Sequence, residues 1–350
     1  MTVFLLILAL QGPGALRSVE EQVARAERSE LREPGSDRYF ALDSGSLARA
    51  RSQIEAYLQA SPDDVAAWVL LGRVGRFILQ PARSAQCSPE HGCVLDSTFD
   101  ESRFQAALDS ALKLRPDDPA AHFWKARLLS DGRPVLREGE FGVDVDTVQM
   151  LAHARRAVAL DSRNVRYREF LTVTLSDMGS YDEAAEVIRP VEGGKHILSL
   201  IFQDLAAVPI PDRAVAWPNG HAVLAATGLH EGPRFASHTG RSWVTDQSID
   251  QVEAFYRRRW PSFKFFRSVA ENGQHGGMQY LRPDRQGKLQ PAADSTFMTE
   301  LGNQSQFVGL LLAVGESGPR FDRPGQQYPA AVAGKDVFSE IIIVTGRKGN

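Results

Sequence analysis

Residues 102–130 read SRFQAALDSALKLRPDDPAAHFWKARLLS, and this stretch, within the longer run Phe99–Pro190, decides the fold. Phe104, Ala107, Ala111 and Leu114 recur every three or four residues, the spacing that puts side chains on one helix face. Pro116 and the acidic pair Asp117-Asp118 stop that helix, because proline lacks the amide hydrogen and aspartate favours a helix start. A second apolar helix follows at once. The pattern returns in looser form as Met150, Ala154, Ala157, Leu160 and Asp161 before a third. Small residues at helical spacing let two helices approach closely, and a repeated helix–break–helix unit buries its apolar face only against a neighbour.

Working outward from this stretch, Leu47–Ala60 forms an upstream helix with Ala50, Ile54, Tyr57 and Leu58 as its stripe, ended by Ser61-Pro62-Asp63-Asp64. Residues 17–33, with Val19, Val23, Ala26 and Glu30 at helical spacing, read either as the first helix of a pair or as a loosely held leader. After the break at Asp64 comes another helix, in which Trp68, Leu71 and Gly72 precede a further apolar turn. Downstream, Leu171, Leu175, Gly179, Tyr181, Ala184 and Pro190 mark a helical hairpin.

These two sets of residues resemble the tetratricopeptide (TPR) repeat. Trp68, Leu71 and Gly72 match that family's first helix, and Gly179–Ala184 resembles its turn and second-helix start. The resemblance covers roughly residues 45–195 and implies a solenoid of helix pairs whose concave face, built from the first helix of each pair, holds a peptide or partner protein. On that reading the first helices are Asp64–Leu79, Asp118–Leu129 and Val165–Met178. Their polar contacts would be Arg73, Arg76, Lys125, Arg127, Arg166 and Arg168. The period departs from the family's: Pro62 and Pro116 lie 54 residues apart, against about 34 for a TPR. The excess falls between the helices of a pair, at Gln80–Phe99 and Gly132–Val143, where insertions map to loops on one face. Trp68, Phe104, Phe123, Trp124 and Phe170 read as core.

The grammar changes at Gly193-Gly194. Lys195–Val208 reads as a last helix capping the stack, and residues 209–212 as a linker. Residues 213–350 then carry short apolar pieces at Arg213–Trp217, His221–Thr227 and Ser242–Val244. One helix stands out, opened by the capping box Ser248-Ile249-Asp250-Gln251 and faced with Ile249, Val252, Phe255 and Tyr256. Strand-like runs follow at Phe263–Val269, Gly277–Leu281, Gln306–Val314 and Phe338–Thr345, the last two apolar enough to be central. Asn272-Gly273 and Gly276-Gly277 sit where a hairpin turn belongs. The expected architecture is multidomain: an all-α TPR-like solenoid over 17–208, then a small α+β domain with a mainly antiparallel sheet. That second layout is similar to small accessory domains of exported bacterial proteins.

Val3–Leu10 is an unbroken apolar run, too short for a bilayer and suited to a secretory signal ending near Ala15. The expectation is export to the periplasm or cell exterior of a bacterial envelope, with no membrane span in the mature chain. Cys87 and Cys93, the only two cysteines, lie in one turn-rich loop and read as a small disulfide in such a compartment; two free thiols, or a metal site recruiting His91, are the alternatives.

The composition, 43% hydrophobic and 24% charged with a formal net charge of −3, does not fit a protein built to coat nucleic acid. Residues 195–350 hold 17 Lys/Arg and 14 Asp/Glu, an imbalance too mild to name a partner. No Gly-x-Ser-x-Gly turn, phosphate loop or His-Glu-x-x-His helix occurs. The expected function is therefore a non-catalytic scaffold without cofactor or metal. Two rivals stand beside it. One is an envelope enzyme, hydrolase-like, using His221, His230 or Asp246. The other is anionic polymer or lipid binding through Arg257, Arg258 and Arg259.

Overall fold

The computed structural model describes residues 16–24, 44–85, 87–88, 92–93, 101–131, 133–137, 140–217, 237–261, 266–269, 275–283, 288–291, 306–316 and 337–347. The signal-like run, His221, His230 and Asn272-Gly273 lie outside the described residues. The chain divides into two contact-dense units, residues 1–167 and 168–350.

The first unit contains a short helix over 16–24 (α1), Ser44–Ala60 (α2), Val65–Ala85 (α3), Glu101–Leu114 (α4), Pro119–Ser130 (α5) and Thr147–Leu160 (α6). Val165–Asp177 (α7) begins in it and runs into the second unit. Three breaks share one hydrogen-bonding pattern. Asp64 N–H donates to Ser61 O, Asp118 N–H to Arg115 O and Asn164 N–H to Asp161 O, at 3.1–3.2 Å. At two of them the aspartate then caps the next helix. Asp64 Oδ1 accepts from Ala67 N–H at 3.1 Å, and Asp118 Oδ1 accepts from Ala121 N–H at 2.9 Å, with Pro119 in the first turn, where its missing hydrogen costs nothing. The Pro-Asp-Asp motif is thus a stop and a start in one.

Helix pairing follows from residue size. A Cβ built on Gly72 would meet Leu108 Cγ at 2.4 Å, and one on Gly75 would meet the Phe104 ring at 2.1 Å. Two missing side chains, one turn apart on α3, are what bring α4 so near. Phe104, Ala107, Leu108 and Ala111 are all buried there. Phe123 and Trp124 are buried as expected, whereas Trp68 is half-buried and its indole N–H donates to Pro62 O at 2.8 Å. Phe170 is half-buried too.

The two insertions carry β structure. Cys87–Ser88 (β1) pairs antiparallel with Gly92–Cys93 (β2), and Arg133–Arg137 (β3) with Glu140–Asp144 (β4). The two ladders are separate, yet β2 and β3 lie in contact. Insertions from successive repeats therefore emerge on the same side, as the lengthened period implied.

The second unit holds most of α7, then Tyr181–Ile188 (α8), a one-turn 3-10 helix over Val191–Gly194 and Ile197–Ala207 (α9). Glu192, Gly193 and Gly194 have φ of 50°, 62° and 82°, a left-handed run that reverses the chain and that glycine adopts at least cost. His196 caps α9: its Nδ1 accepts from Leu198 N–H at 3.4 Å, which leaves Nε2 to donate to Glu169 at 2.9 Å. Val215–Ala216 (β5), Ser237–Thr245 (β6), Phe266–Val269 (β7), His275–Pro283 (β8), Leu289–Pro291 (β9), Gln306–Glu316 (β10) and Val337–Arg347 (β11) form one antiparallel sheet. Its order is β5-β6-β11-β10-β8-β7, with β9 also on β8. The two most apolar runs, β10 and β11, are central, as expected. Gly276 and Gly277 do not turn the hairpin: they lie inside β8, opposite Ser268 and Arg267.

Ile249–Arg259 (α10) has the expected capping box, Ser248 Oγ accepting from Gln251 N–H and Gln251 Oε1 from Ser248 N–H. It packs against β10. The helix expected to cap a solenoid, α9, packs against α8 and also lies on β6 and β11. Ile201, Phe202 and Leu205 of this helix are buried.

Candidate functional site

The site is built on the first helices of successive pairs: α3, α5 and the start of α7. Trp124 and Phe123 of α5 form its floor, packed edge to face with ring centroids 5.1 Å apart and almost fully buried. Over them stand two cations from flanking helices. Arg73 of α3 places its guanidinium 5.1 Å from the Trp124 centroid. Arg166 of α7 places its own 4.8 Å from the same ring and 5.1 Å from Phe123. Tyr167 lies against Phe123 at 4.7 Å, and burial, more than the nearby Asp161 and Asp118, raises its phenol pKa. Arg73, Arg166 and Tyr167 are half-exposed, and the two guanidinium groups themselves lie over the aromatic floor.

Two cations over one indole are held by the ring's negative face, each contact worth about 0.5–1 kcal/mol where water has access. The arrangement pre-positions guanidinium groups, which bind carboxylate or phosphate with paired N–H donors. A phenol beside them adds a donor that stays protonated at neutral pH.

Of the six basic residues expected to line the face, Arg73 and Arg166 come together here. The others do different work. Arg76 is 3% exposed and grips Asp131 through Nε at 2.9 Å and Nη2 at 3.3 Å. That buried ion pair ties α3 to the C-terminal cap of α5. Lys125 is buried and paired with Asp109 of α4. Arg127 is half-buried on α5. Arg168, in the second unit, donates to the Val187 carbonyl of α8. These side chains share helices with the cluster, but Arg76, Lys125 and Arg168 meet other groups.

Near the cluster, and unforeseen from the sequence, His122 and His153 meet across α5 and α6. Their Nδ1 atoms are 2.8 Å apart and their ring centroids 5.0 Å. His122 Nε2 donates to Pro116 O at 2.9 Å. Burial first, then His122 and Lys125, lower the His153 pKa to about 4 against a smaller opposing pull from Asp109. Nothing in the sequence joins two histidines thirty-one positions apart on different helices.

Elsewhere, Arg257 is engaged by Glu253 at 2.6 Å, one turn earlier on α10, and Glu253 is buried. Arg258 and Arg259 are exposed. A run of three arginines is thus split between a helix-stabilising pair and two outward side chains at the end where cations are favoured. Asp246 is paired with Arg213. Cys87 and Cys93 are directly opposite in the β1–β2 ladder.

No protein-family profile and no curated protein matches the chain. Among solved structures it is similar to the crystal structure of MamA, at 17% identity over 46% of this chain and 77% of that one, with a TM-score of 0.32. It is also similar to the 41-end form of MamA from Desulfovibrio magneticus RS-1, at 16% identity over 53% and 93% of the two chains, TM-score 0.31. A further similarity is to TTC0263, a thermophilic TPR protein of Thermus thermophilus. There the identity is 14% over 55% and 93%, and the TM-score 0.35.

Proposed function

We propose that this chain is a non-catalytic scaffold that binds a peptide segment of a partner protein along the first helices of its TPR-like pairs. The observation that carries the reading is the placing of Arg73 and Arg166, from different helices, over the same buried indole, that of Trp124. A buried aromatic floor topped by two half-exposed cations recognises an extended peptide bearing carboxylates, and the floor needs no reordering on binding. Export to a bacterial envelope and a Cys87–Cys93 disulfide belong to the same proposal. Directly opposed antiparallel residues have Cα atoms about 4.5–5.5 Å apart, inside the range a disulfide spans. A thiol count on the unreduced, denatured chain tests that bond, and two reactive thiols would refute it.

The binding reading is tested by selecting displayed random peptides on the intact chain. Enriched peptides should carry Asp or Glu, and Arg73→Glu with Arg166→Glu should weaken them at least tenfold. Arg258→Ala with Arg259→Ala should leave them unchanged. Peptides held equally well by the Arg73/Arg166 variant would place recognition elsewhere and end the proposal.

A further inference from the structure

His122 sits in the first turn and a half of α5, whose start is fixed by the Asp118 cap and by His122 N–H donating to Asp118 O at 3.2 Å. His153 sits in α6, whose start is fixed by Asp146 accepting from Gln149 N–H at 3.0 Å. Two capped helices therefore hold the two imidazoles against each other across the seam between α5 and α6.

A carbonyl decides which ring supplies the hydrogen. Pro116 O can only accept, so His122 Nε2, 2.9 Å away, carries a hydrogen. In the neutral ring Nδ1 then holds the lone pair, and the hydrogen in the 2.8 Å Nδ1–Nδ1 contact belongs to His153. The chain of donors runs from His153 to His122 to Pro116, and His153 Nε2 is the ring nitrogen left without a hydrogen. A hydrogen added to His122 Nδ1 would turn two donors toward each other. One added to His153 Nε2 makes a cation that the surroundings oppose. Burial first, then His122 and Lys125 of α5, hold the His153 pKa down at about 4. Asp109 of α4, the carboxylate that favours a charged ring, pulls less strongly and is shared with Lys125. The other charges near the seam are engaged as well: Asp118 caps α5 and meets Arg115 at 3.2 Å, and Arg156 of α6 is paired with Asp117. Arg155 of α6 is exposed and adds a further positive charge on that helix.

We propose that the His122–His153 contact is an acid-released latch between α5 and α6, closed with both imidazoles neutral and opened when a proton reaches either ring. An imidazole freed into water takes its proton at about pH 6.5. Above that value the open and closed seams both hold neutral rings, and the latch contributes in full. As the pH falls from about 6.5 toward 4, the open form binds a proton that the closed form refuses, so opening gains ground. Protonated histidines part packed surfaces in the same way in other pH-responsive proteins. Phe123 and Trp124 follow His122 directly on α5, so the opened seam loosens the aromatic floor carried by the same helix. Weaker peptide binding in mild acid is the consequence, and that consequence alone rests on the peptide-binding reading above.

The test uses the full chain and amide hydrogen exchange read by mass spectrometry, corrected for the intrinsic effect of pH on exchange. From pH 7 to pH 5, protection over Pro119–Ser130 and Thr147–Leu160 should fall about tenfold, less than the full linkage because both rings are half-exposed. His153→Gln, whose amide can still donate to His122 without titrating, should hold its protection level across that range. The comparison is of the change with pH, so a variant weaker throughout still decides. The His153 ring resonance, identified by its loss in that variant, should titrate well below the ordinary histidine range. Protection in the parent that ignores pH, an equal fall in His153→Gln, or a His153 ring titrating at its ordinary value would overturn the latch. Peptide affinity that stays level while the seam opens would count against the recognition site and leave the latch standing.

Discussion

The sharpest contrast among single residues is between Arg73 and Arg76, three positions apart on α3. Arg76 and Asp131 face each other with side chains only 4% and 14% exposed, and removing the arginine takes a cation away from a mostly covered carboxylate. Arg76→Ala should therefore destabilise the chain by about 3 kcal/mol, read as a lowered denaturation midpoint. Arg73→Ala, which gives up a half-exposed ring contact, should cost less than about 1 kcal/mol, the worth of one such contact. Equal costs would mean that the ion pair carries no special weight. Tyr181 offers a second test. Burial, opposed by Arg241, raises its pKa to about 12; burial also raises that of Tyr256. An unfolded tyrosine ionises near pH 10. Below that pH both states are protonated and this contribution is intact. As pH rises toward 12 the unfolded chain sheds protons that the folded one keeps, and stability falls. Tyr181→Phe should flatten the decline between pH 10 and 12 in a chemical-denaturation series, and an unchanged slope would contradict it.

At the scale of elements, close pairing of α3 and α4 rests on Gly72 and Gly75. Alanine in place of a helix-interior glycine ordinarily gains up to about 1 kcal/mol. At Gly75 the new methyl would strike the ring and Cβ of buried Phe104, and overpacking of this kind costs roughly 1–3 kcal/mol. Gly75→Ala should thus lower the thermal midpoint despite the better propensity, and Gly75→Leu should lower it further. A rise on Gly75→Ala would show that the helices can part freely. Much of this was legible beforehand: Gly72 was marked by its place after Trp68 and Leu71, and the helix ends by Pro62, Pro116 and the capping aspartates. The strands at 306–316 and 337–347 announced themselves by unbroken apolar character. Less could be read where the third dimension decides. Arg73 and Arg76 look alike in a sequence and lie one turn apart on the same side of α3, and only the part of α5 that each reaches sends one to Trp124 and the other to Asp131. The pairing of His122 with His153 is a tertiary fact with no local mark. Gly276 and Gly277 misled because glycine serves a strand interior as well as a turn.

For the molecule as a whole, the compositional break at 209–212 and the division of contacts do not coincide. The helices α8 and α9 belong with the sheet. Arg241 of β6 lies 5.1 Å over Tyr181 of α8 and 5.0 Å over Trp243, on the strand face that also carries Ile341 and Ile343. A fragment of residues 168–350 should therefore be better folded than one of residues 213–350, which lacks the buried Ile201, Phe202 and Leu205. Limited proteolysis of the two would decide: equal resistance would return the boundary to the linker.

The meeting of β2 with β3 bears on how such a chain can change over time. Arrays of helical hairpins ordinarily grow and shrink by copying or losing a whole unit, because each touches only the next through its helices. Here adjoining units are stitched a second time by their outgrown ribbons. Deleting one would leave its neighbour's ribbon without company, and duplicating one would wedge a stranger between them. The double seam makes the number of units in this stretch hard to alter.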